Sequence, residues 1–368
     1  MNRINHYIIL LKFILLFLSG SLYANYIDTL ENIFFGRQPS ARSEAMGRSM
    51  DLLVFDGSSS FFNPANIARL EGISLYTSYA SPYYFANKSF FTYYNLSASL
   101  GQYGSVALCS FDYNSGDKWT WMTENNEILG EYTYHETLYT LSYAKSIMED
   151  LYIGANINLA QIRNLSDWVI YEFTGPKTYN AFPIDIGVIK QFNINLNENF
   201  NQKIGIGFSI FNILNSHFNI EGNINELPVL SRIGLSHCLG YNGLKLIDGL
   251  KSFNWLIHLE YQDLLNESKR RCYRVGSEIS LLEIIFLRIG YYYEELNDHN
   301  SPDVNENSLS EITYGFGIQI PIKTNHLENF IRFDFARLEQ PSYSKQFTKW
   351  DDFTVWNLYI NLDLNLFR

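Results

Sequence analysis

The side chains best suited to chemistry are charged residues on the less apolar faces of alternating segments. They are Asp185, His258, Glu260, Arg274, Glu278, Arg288, Arg332 and Asp334. Successive side chains on a strand point to opposite faces, so this parity predicts that all eight line an inner wall. Neighbouring strands would bring four of them together. Such a set could form salt bridges that stiffen the wall or grip an inserted segment, or could act as a polar filter or ligand contact.

Motifs for covalent, phosphate or metal chemistry are absent from the sequence. It contains no GxSxG, HExxH, P-loop or zinc spacing. The cysteines are odd in number and none belongs to a CxxC pair; they are Cys109, Cys238 and Cys272. The seven histidines are scattered, and no serine at a suggestive spacing singles out His135, His237 or His258. We therefore expect no enzyme, no metal and no cofactor.

The segments that carry the charged residues have a period of two. The last, Val355 to Phe367, alternates a wholly apolar set with a polar one. Fourteen such segments are predicted near 73–84, 90–101, 104–115, 135–147, 151–163, 181–193, 202–214, 230–240, 253–265, 270–282, 284–296, 310–322, 329–340 and 355–367. An even number of strands suits a bacterial barrel with both ends in the periplasm. We predict an all-β, fourteen-stranded antiparallel transmembrane barrel.

Composition and the N-terminus favour the outer membrane. Charged residues are 18% and aromatic residues 16% of the 368 residues, which suits lipid-facing strands with aromatic belts; a soluble β-rich protein is the alternative. Residues 1–24 resemble an export signal with a small residue, Ala24, at its end. No later run is long enough for a transmembrane helix, and barrels are the other structure that satisfies the backbone in lipid. The net charge of −11 argues against a nucleic-acid partner.

Between the signal and the first strand lies a segment, 25–72, that lacks the period of two and is rich in small residues. We predict that it is a plug inside the barrel of residues 73–368, because only barrels of about eight strands fill their own interior. The plug ends at Asn63, Pro64 and Ala65, where proline fixes the chain direction and asparagine can bond its own backbone.

The connection 114–135 is predicted to be an outer loop that carries Trp119 and Trp121. Exposed aromatic side chains could bind a partner or fold over the mouth of the barrel. The sequence leaves both readings open.

The plug motif resembles the N-terminus of the PorV/PorQ family of outer-membrane proteins. The residues that carry the resemblance are Ala41, Arg42, Ala45, Met46 and Gly47, then Asp56, then Asn63, Pro64 and Ala65. An NPA-ending plug is also found in the related FadL family of long-chain fatty-acid transporters. Shorter similarities follow in order at 142–145, 184–187, 205–212, 275–278 and 287–291.

The resemblance implies a fourteen-stranded barrel with an N-terminal plug in the bacterial outer membrane. Its PorV side implies a binding barrel for type IX protein secretion or cell-surface attachment, with secretion components and secreted proteins as partners beside outer-membrane lipid. Its FadL side implies passive uptake of fatty acids or other hydrophobic small molecules. The sequence analysis favours the first reading, with the transporter as the alternative and a purely structural barrel as a third possibility.

Overall fold

In the computed structural model, the residues described are 32–80, 89–116, 119–122, 128–166, 177–195, 197, 199–220, 223–242, 253–266, 271–295, 308–323, 326–338 and 353–362. The predicted export signal, 1–24, lies outside them. No helix in this part of the chain is long and apolar enough to cross a membrane.

Strands dominate the described residues. They are β1 (Ile73–Ala80), β2 (Phe90–Ser99), β3 (Ser105–Asn114), β4 (Trp119–Met122), β5 (Ile128–Met148), β6 (Leu151–Ser166), β7 (Lys177–Ala181), β8 (Ile184–Asn195), β9 (Phe200–Phe211), β10 (His217–Ile220), β11 (Asn223–Glu226), β12 (Leu230–Tyr241), β13 (Phe253–Leu264), β14 (Arg271–Leu281), β15 (Ile285–Glu295), β16 (Ser308–Lys323), β17 (His326–Leu338) and β18 (Phe353–Leu362).

Fourteen of these strands form a closed antiparallel barrel, which confirms the predicted fold class. Each barrel strand pairs with the next along the chain, apart from the short strands β4, β7, β10 and β11. The ring closes where β1 pairs with both β2 and β18, with Ile73 opposite Leu362. We call the end that carries these two residues the proximal end and the opposite end the distal end.

Side chains along the strands alternate between the two faces of the barrel wall. The outer face is apolar, and the inner face carries polar and aromatic side chains. On β15, Leu287 is 51% exposed and Ile289 is 57% exposed, whereas Arg288 between them is buried. Aromatic side chains pair across strands on the outer surface, as Phe335 and Trp356 do with ring centroids 4.4 Å apart. Such cross-strand pairs contribute about 0.2–1 kcal/mol each. An apolar outer face of this kind suits hydrocarbon.

Two predicted strands differ most clearly from those observed. The strand predicted to begin at 181 begins at Ile184 as β8, and Phe182 and Pro183 separate it from the short strand β7, because proline has no N–H to donate to the sheet. The register with β6 continues across the break, and Asn158 N donates to Pro183 O (3.0 Å). β5 begins at Ile128, seven residues before the predicted start.

The prediction of an outer loop over 114–135 is wrong for Trp119 and Trp121. Both lie on β4, which pairs with the early part of β5 so that Trp119 is opposite Tyr132. Alternating aromatic and threonine residues favour this extension of the hairpin. The side chains of both tryptophans lie outside the described part of the structure.

Residues 32–72, which we call the inner segment, lie within the barrel. The segment contains two short α-helices, Ala41–Ala45 and Ser59–Phe62, a single π-helical turn, Asn32–Gly36, and a 3₁₀-helix, Pro64–Arg69, that leads towards β1. It contacts inner-face residues on strands all round the barrel. Almost all of its side chains are buried, so the inner segment and the wall share one core.

Candidate functional site

The motif residues of the inner segment are all buried inside the barrel. They are Ala41, Arg42, Ala45, Met46, Gly47, Asp56, Asn63, Pro64 and Ala65. The small residues let the backbone approach the wall closely, and the polar ones bond to it. The motif therefore acts as the contact surface between the inner segment and the barrel.

The first half of the motif rests against glycines of the wall. Ser40 caps the helix Ala41–Ala45, since Ser43 N donates to its Oγ (3.2 Å). Gly47 follows with a φ of 69° and donates its N–H to Thr313 Oγ1 (2.8 Å). A Cβ added at Gly290 would collide with the backbone of Gly47. Glycine on the inner face is thus required for this approach.

The second half anchors the chain where it turns towards β1. Asn63 Oδ1 accepts from Ala65 N (3.0 Å), which caps the 3₁₀-helix. Its amide Nδ2 donates to Val188 O (3.3 Å) and Phe208 O (3.2 Å) on the wall. Asn63 therefore orders the turn, as predicted from its residue type, and also ties that turn to β8 and β9.

A continuous chain of buried ion pairs joins the inner segment to β14, β15 and β17. It runs through Asp51, Arg42, Glu278, Arg288, Asp334, Arg332 and Asp56. Arg42 Nε lies 2.8 Å from Glu278 Oε2, and its Nη2 donates to Oε1 (2.9 Å). Both ends of the chain belong to the inner segment, so the segment grips this part of the wall at two points.

Arg42 keeps its charge in this environment. Burial alone would lower its pKa, but the carboxylates of Asp51 and Glu278 raise the pKa well above the ordinary arginine value. A buried pair of this kind adds little net stability compared with an apolar packing, yet removing one partner costs about 3–5 kcal/mol. The ion-pair chain therefore specifies where the inner segment sits.

A second polar cluster lies on β12, β13 and β14. Arg274 pairs with Glu260 and also donates to Gln262 Oε1 (3.0 Å), which accepts a further bond from Arg232 Nε (3.0 Å). Arg232 Nη1 donates to Phe61 O (2.9 Å) in the inner segment. This cluster thus also ends on the inner segment, through its backbone.

Sequence reasoning missed one serine–histidine pair. Ser236 lies directly opposite His258 in the register of β12 and β13, and its Oγ is 2.8 Å from His258 Nδ1. His258 Nε2 is 3.7 Å from Glu260 Oε2. Sequence spacing does not indicate this partner of His258, because the pairing depends on the register of β12 and β13.

The Ser236–His258 pair contacts the backbone of the inner segment. Leu52 N of the inner segment donates to Ser236 Oγ (2.9 Å), and both members of the pair are fully buried. The cavity beside them, lined in part by Leu52 and Glu260, measures only about 10 Å³. That volume leaves no room for a substrate. Among the described residues, no group of His, Cys, Asp and Glu is placed to hold a metal ion.

Asp185 stands apart from both clusters. Its carboxylate accepts from Asn156 Nδ2 (2.9 Å), Asn158 Nδ2 (2.8 Å) and Asn212 N (3.1 Å). Asn212 has a φ of 54° and marks the point where the chain leaves β9 for the β10–β11 hairpin. Asp185 therefore stabilises the wall at the strand break, and it orients Asn156, whose Nδ2 also donates to Ser60 O of the inner segment (3.0 Å).

The eight charged residues singled out by parity are all buried and face the interior. Six of them belong to the ion-pair chain or to the second cluster, His258 adjoins that cluster through Glu260, and Asp185 stands apart. The other part of the lumen, lined by β2, β3 and β9, combines aromatic side chains with buried polar ones such as Asn95 and Ser209. There Phe34 packs on Phe211 (centroids 4.3 Å apart) and Phe61 packs on Phe111 (5.4 Å), with Phe91 in the same buried group. The lumen thus has an ionic side and an aromatic side.

A cavity of about 420 Å³ lies between the inner segment and the proximal end. Phe55, Arg69 and Leu70 of the inner segment border it on one side, and wall residues such as Phe286 and Phe330 border it on the other. Its volume is within the range of small-molecule pockets, about 300–1,000 Å³. It is much larger than the cavity of about 10 Å³ beside Leu52.

Comparison with solved structures agrees with this architecture. A mutant of TodX, a monoaromatic hydrocarbon channel, is 10% identical with a TM-score of 0.51, over 88% of this chain and 98% of that chain. This likeness shows the fold. The Pseudomonas putida toluene transporter TodX is 11% identical with a TM-score of 0.45, over 93% and 98% of the two chains. A Pseudomonas aeruginosa FadL homologue is 9% identical with a TM-score of 0.40, over 95% and 100%.

No protein-family model matches the sequence, and no curated protein matches it significantly. The resemblance to the PorV/PorQ family stays a prediction.

Proposed function

We propose that this protein is a passive outer-membrane channel for hydrophobic small molecules. The observation that carries the proposal is a closed fourteen-stranded barrel whose lumen is occupied by a buried N-terminal segment, in a fold shared with a monoaromatic hydrocarbon channel. An open aqueous pore would leave the lumen to water. Here the inner segment takes that space, so ions and sugars have no wide path.

The division of the lumen favours an apolar cargo. An apolar surface is provided by the rings of Phe34, Phe61, Phe111 and Phe211. An apolar molecule gains free energy when it moves from water to such a surface, and it gives up little when it moves there from lipid. On the other side, the charged groups satisfy one another in ion pairs and hold the inner segment. The cargo would pass along the aromatic side as the inner segment shifts away from it.

The apolar outer face supports placement in the outer membrane, with lipid as the partner of that face. Exposed apolar residues such as Leu75, Leu108, Ile157 and Leu287 recur on strands around the barrel. The predicted export signal and the pairing of Ile73 with Leu362 at one end are consistent with a periplasmic proximal end.

The secretion role suggested by the PorV/PorQ resemblance is not favoured by any specific contact in the described residues. It predicts that large secretion components co-purify with the barrel, and that the distal connections carry the binding. The channel proposal predicts neither, so a pull-down under mild detergent separates the two.

Uptake and conductance together test the channel. The uptake arm measures the initial rate of fluorescence gain of 1-N-phenylnaphthylamine in intact Gram-negative cells, whose lipopolysaccharide leaflet slows entry of this probe. Cells that express the barrel should take it up faster than cells that express the Leu52→Cys, Gly205→Cys double variant with its disulfide oxidised.

The conductance arm uses the purified barrel in a planar lipid bilayer. The wild-type protein should show no steady ion conductance, because the inner segment fills the lumen. Faster probe entry without ion conductance supports a hydrophobic channel. Large stable conductance, or uptake equal to that of cells without the barrel, would contradict it.

A further inference from the structure

Arg69 is the most unusual charged residue of the inner segment. Its guanidinium nitrogens Nε, Nη1 and Nη2 are all buried, and no described residue forms a hydrogen bond or ion pair with them. By contrast, Arg42, Arg288 and Arg332 each contact at least two carboxylates. A buried guanidinium with five N–H donors and no acceptor is costly, so an acceptor is expected to occupy this position.

The surroundings of Arg69 do not supply that acceptor. The carboxylate that influences its pKa is Asp51, which is already paired with Arg42 and accepts from Leu53 N (2.7 Å) and Val54 N (2.8 Å). Burial lowers the pKa of Arg69 to about 10, which still leaves the side chain charged near pH 7. The charge is therefore present and lacks a direct partner.

Arg69 lines the 420 Å³ cavity at the proximal end, and four aromatic side chains form part of the same lining, among polar and charged residues. Tyr359 packs edge-on against Phe330 (centroids 5.0 Å apart) and Phe55 (6.3 Å). Phe286 completes this aromatic wall. Aromatic rings pack favourably against further rings in offset or edge-to-face arrangements, so the cavity suits a flat apolar body.

Besides Arg69, the charged residues that line the cavity are Glu71, Lys203, Glu278, Glu283 and Arg332, and two of them belong to the ion-pair chain. Arg332 is bound to Asp56 and Asp334, and Glu278 is bound to Arg42 and Arg288. Their charges are matched within the ion-pair chain. Arginine binds a carboxylate through two parallel N–H···O hydrogen bonds, and these charge-assisted bonds are stronger than those between neutral groups.

From these observations we infer that the proximal cavity binds a small aromatic carboxylate, with the carboxylate on Arg69 and the ring against Phe55, Phe330 and Tyr359. This inference deepens the proposed function by naming a substrate class, and as a statement about transport it rests on that function. As a statement about binding it stands on the cavity alone.

The test is equilibrium dialysis of radiolabelled benzoate and 2-naphthoate against the purified full chain in nanodiscs, with empty nanodiscs subtracted. Wild type should bind one equivalent saturably, and a neutral analogue of the same shape, 2-methylnaphthalene, should not compete. Equal competition by the neutral analogue would overturn the inference.

The deciding variant is Arg69→Met, which keeps the length of the side chain and removes its donors. A charge-assisted bond contributes about 1.5–3 kcal/mol, so affinity should fall about tenfold to a hundredfold. The matched control is Lys203→Met, which removes another cation from the lining of the same cavity and should leave affinity within about threefold, as expected for a charge outside the contact. Equal losses in both variants, or no loss in Arg69→Met, would refute the assignment.

A second variant guards against misfolding of the first. Val54 is 39% exposed and lines the same cavity, so Val54→Trp should fill the cavity without disturbing Arg69. It should abolish binding; unchanged binding would overturn the inference. Circular-dichroism melting should show Arg69→Met at least as stable as wild type without ligand, whereas a structural role for Arg69 predicts a loss.

The outcomes for binding and for transport can be told apart. If uptake of the hydrophobic probe fails while 2-naphthoate binds through Arg69, the channel proposal fails and the site stands. If uptake succeeds while carboxylate binding is absent or insensitive to Arg69, the channel proposal stands and this inference is wrong.

Discussion

Replacing Glu278 by glutamine should loosen the inner segment while leaving the barrel intact. Glu278 on β14 bridges Arg42 of the inner segment and Arg288 of β15. It is the single link through which Arg42 reaches the wall by an ion pair among the described residues. Glutamine keeps the shape and can still accept one hydrogen bond, so the substitution removes charge with little change in packing.

The magnitude follows from the burial of the pair. Side-chain exposure is 1% for Arg42 and 7% for Glu278, so solvent screens the interaction little. Removing one partner of a buried pair costs about 3–5 kcal/mol. Because Arg42 keeps Asp51 and Arg288 keeps Asp334, we expect the lower end, about 3 kcal/mol. Every 1.4 kcal/mol is a factor of ten, so opening of the segment should become about a hundredfold more frequent.

Hydrogen exchange measured by mass spectrometry reports this opening. Peptides from residues 37–50 should exchange about two orders of magnitude faster in Glu278→Gln than in wild type. Peptides from β14 and β15 should be unchanged, since their ladder does not depend on the charge. The control is Asp263→Asn, which removes a carboxylate from a pair with the half-exposed Arg271 (4.0 Å); such surface pairs contribute about 0–1 kcal/mol.

Two results would refute the reasoning. Unchanged exchange over 37–50 in Glu278→Gln would show that the ion-pair chain does not hold the segment. Equal acceleration in β14 and β15 would show that the charge stabilises the barrel itself.

Three further substitutions probe the contacts and the membrane face. Asn63→Ala should expose the inner segment to trypsin because it removes a helix cap, at about 0.5–2 kcal/mol, and two bonds to the wall; resistance equal to wild type would contradict this. Gly290→Val should accelerate hydrogen exchange over 37–50, since overpacking against the backbone of Gly47 costs about 1–3 kcal/mol. Hydrogen exchange equal to wild type would show that Gly47 does not lie close to the wall at Gly290. Leu287→Arg should lower the free energy of folding into vesicles by about 2–4 kcal/mol if this outward residue lies near the bilayer midplane, and a change under 0.5 kcal/mol, the usual effect of a surface substitution, would place it outside the bilayer.

Much of the fold could be predicted from the period of two. The alternation in β18 and β15 identifies strands, and parity correctly separates Arg288 from Leu287 because the two faces meet such different surroundings. Small residues at 41–47 indicate a close-packed segment. These inferences need only local geometry and the preference of apolar groups for lipid.

The partners of the charged residues could not be predicted in the same way. Arg42 and Glu278 are 236 positions apart, and they meet only once the barrel has closed around the inner segment. The pairing of Ser236 with His258 depends on the register of β12 and β13, which a connection as long as 242–252 leaves open. The strand β4 could not be predicted because its alternating run is only four residues long, too short to distinguish a strand from a loop.

The most direct test of a channel closed by its inner segment is to lock that segment in place. A Cβ built at Gly205 would lie 3.2 Å from Leu52 Cβ, close to the separation of about 3.5–4.5 Å in a disulfide. Leu52→Cys with Gly205→Cys, in a background without the native cysteines, therefore offers a reversible tether. Uptake of 1-N-phenylnaphthylamine into intact cells should fall to the level of cells without the barrel when the tether is oxidised, and should recover on reduction. Equal uptake in the oxidised and reduced states would contradict the account.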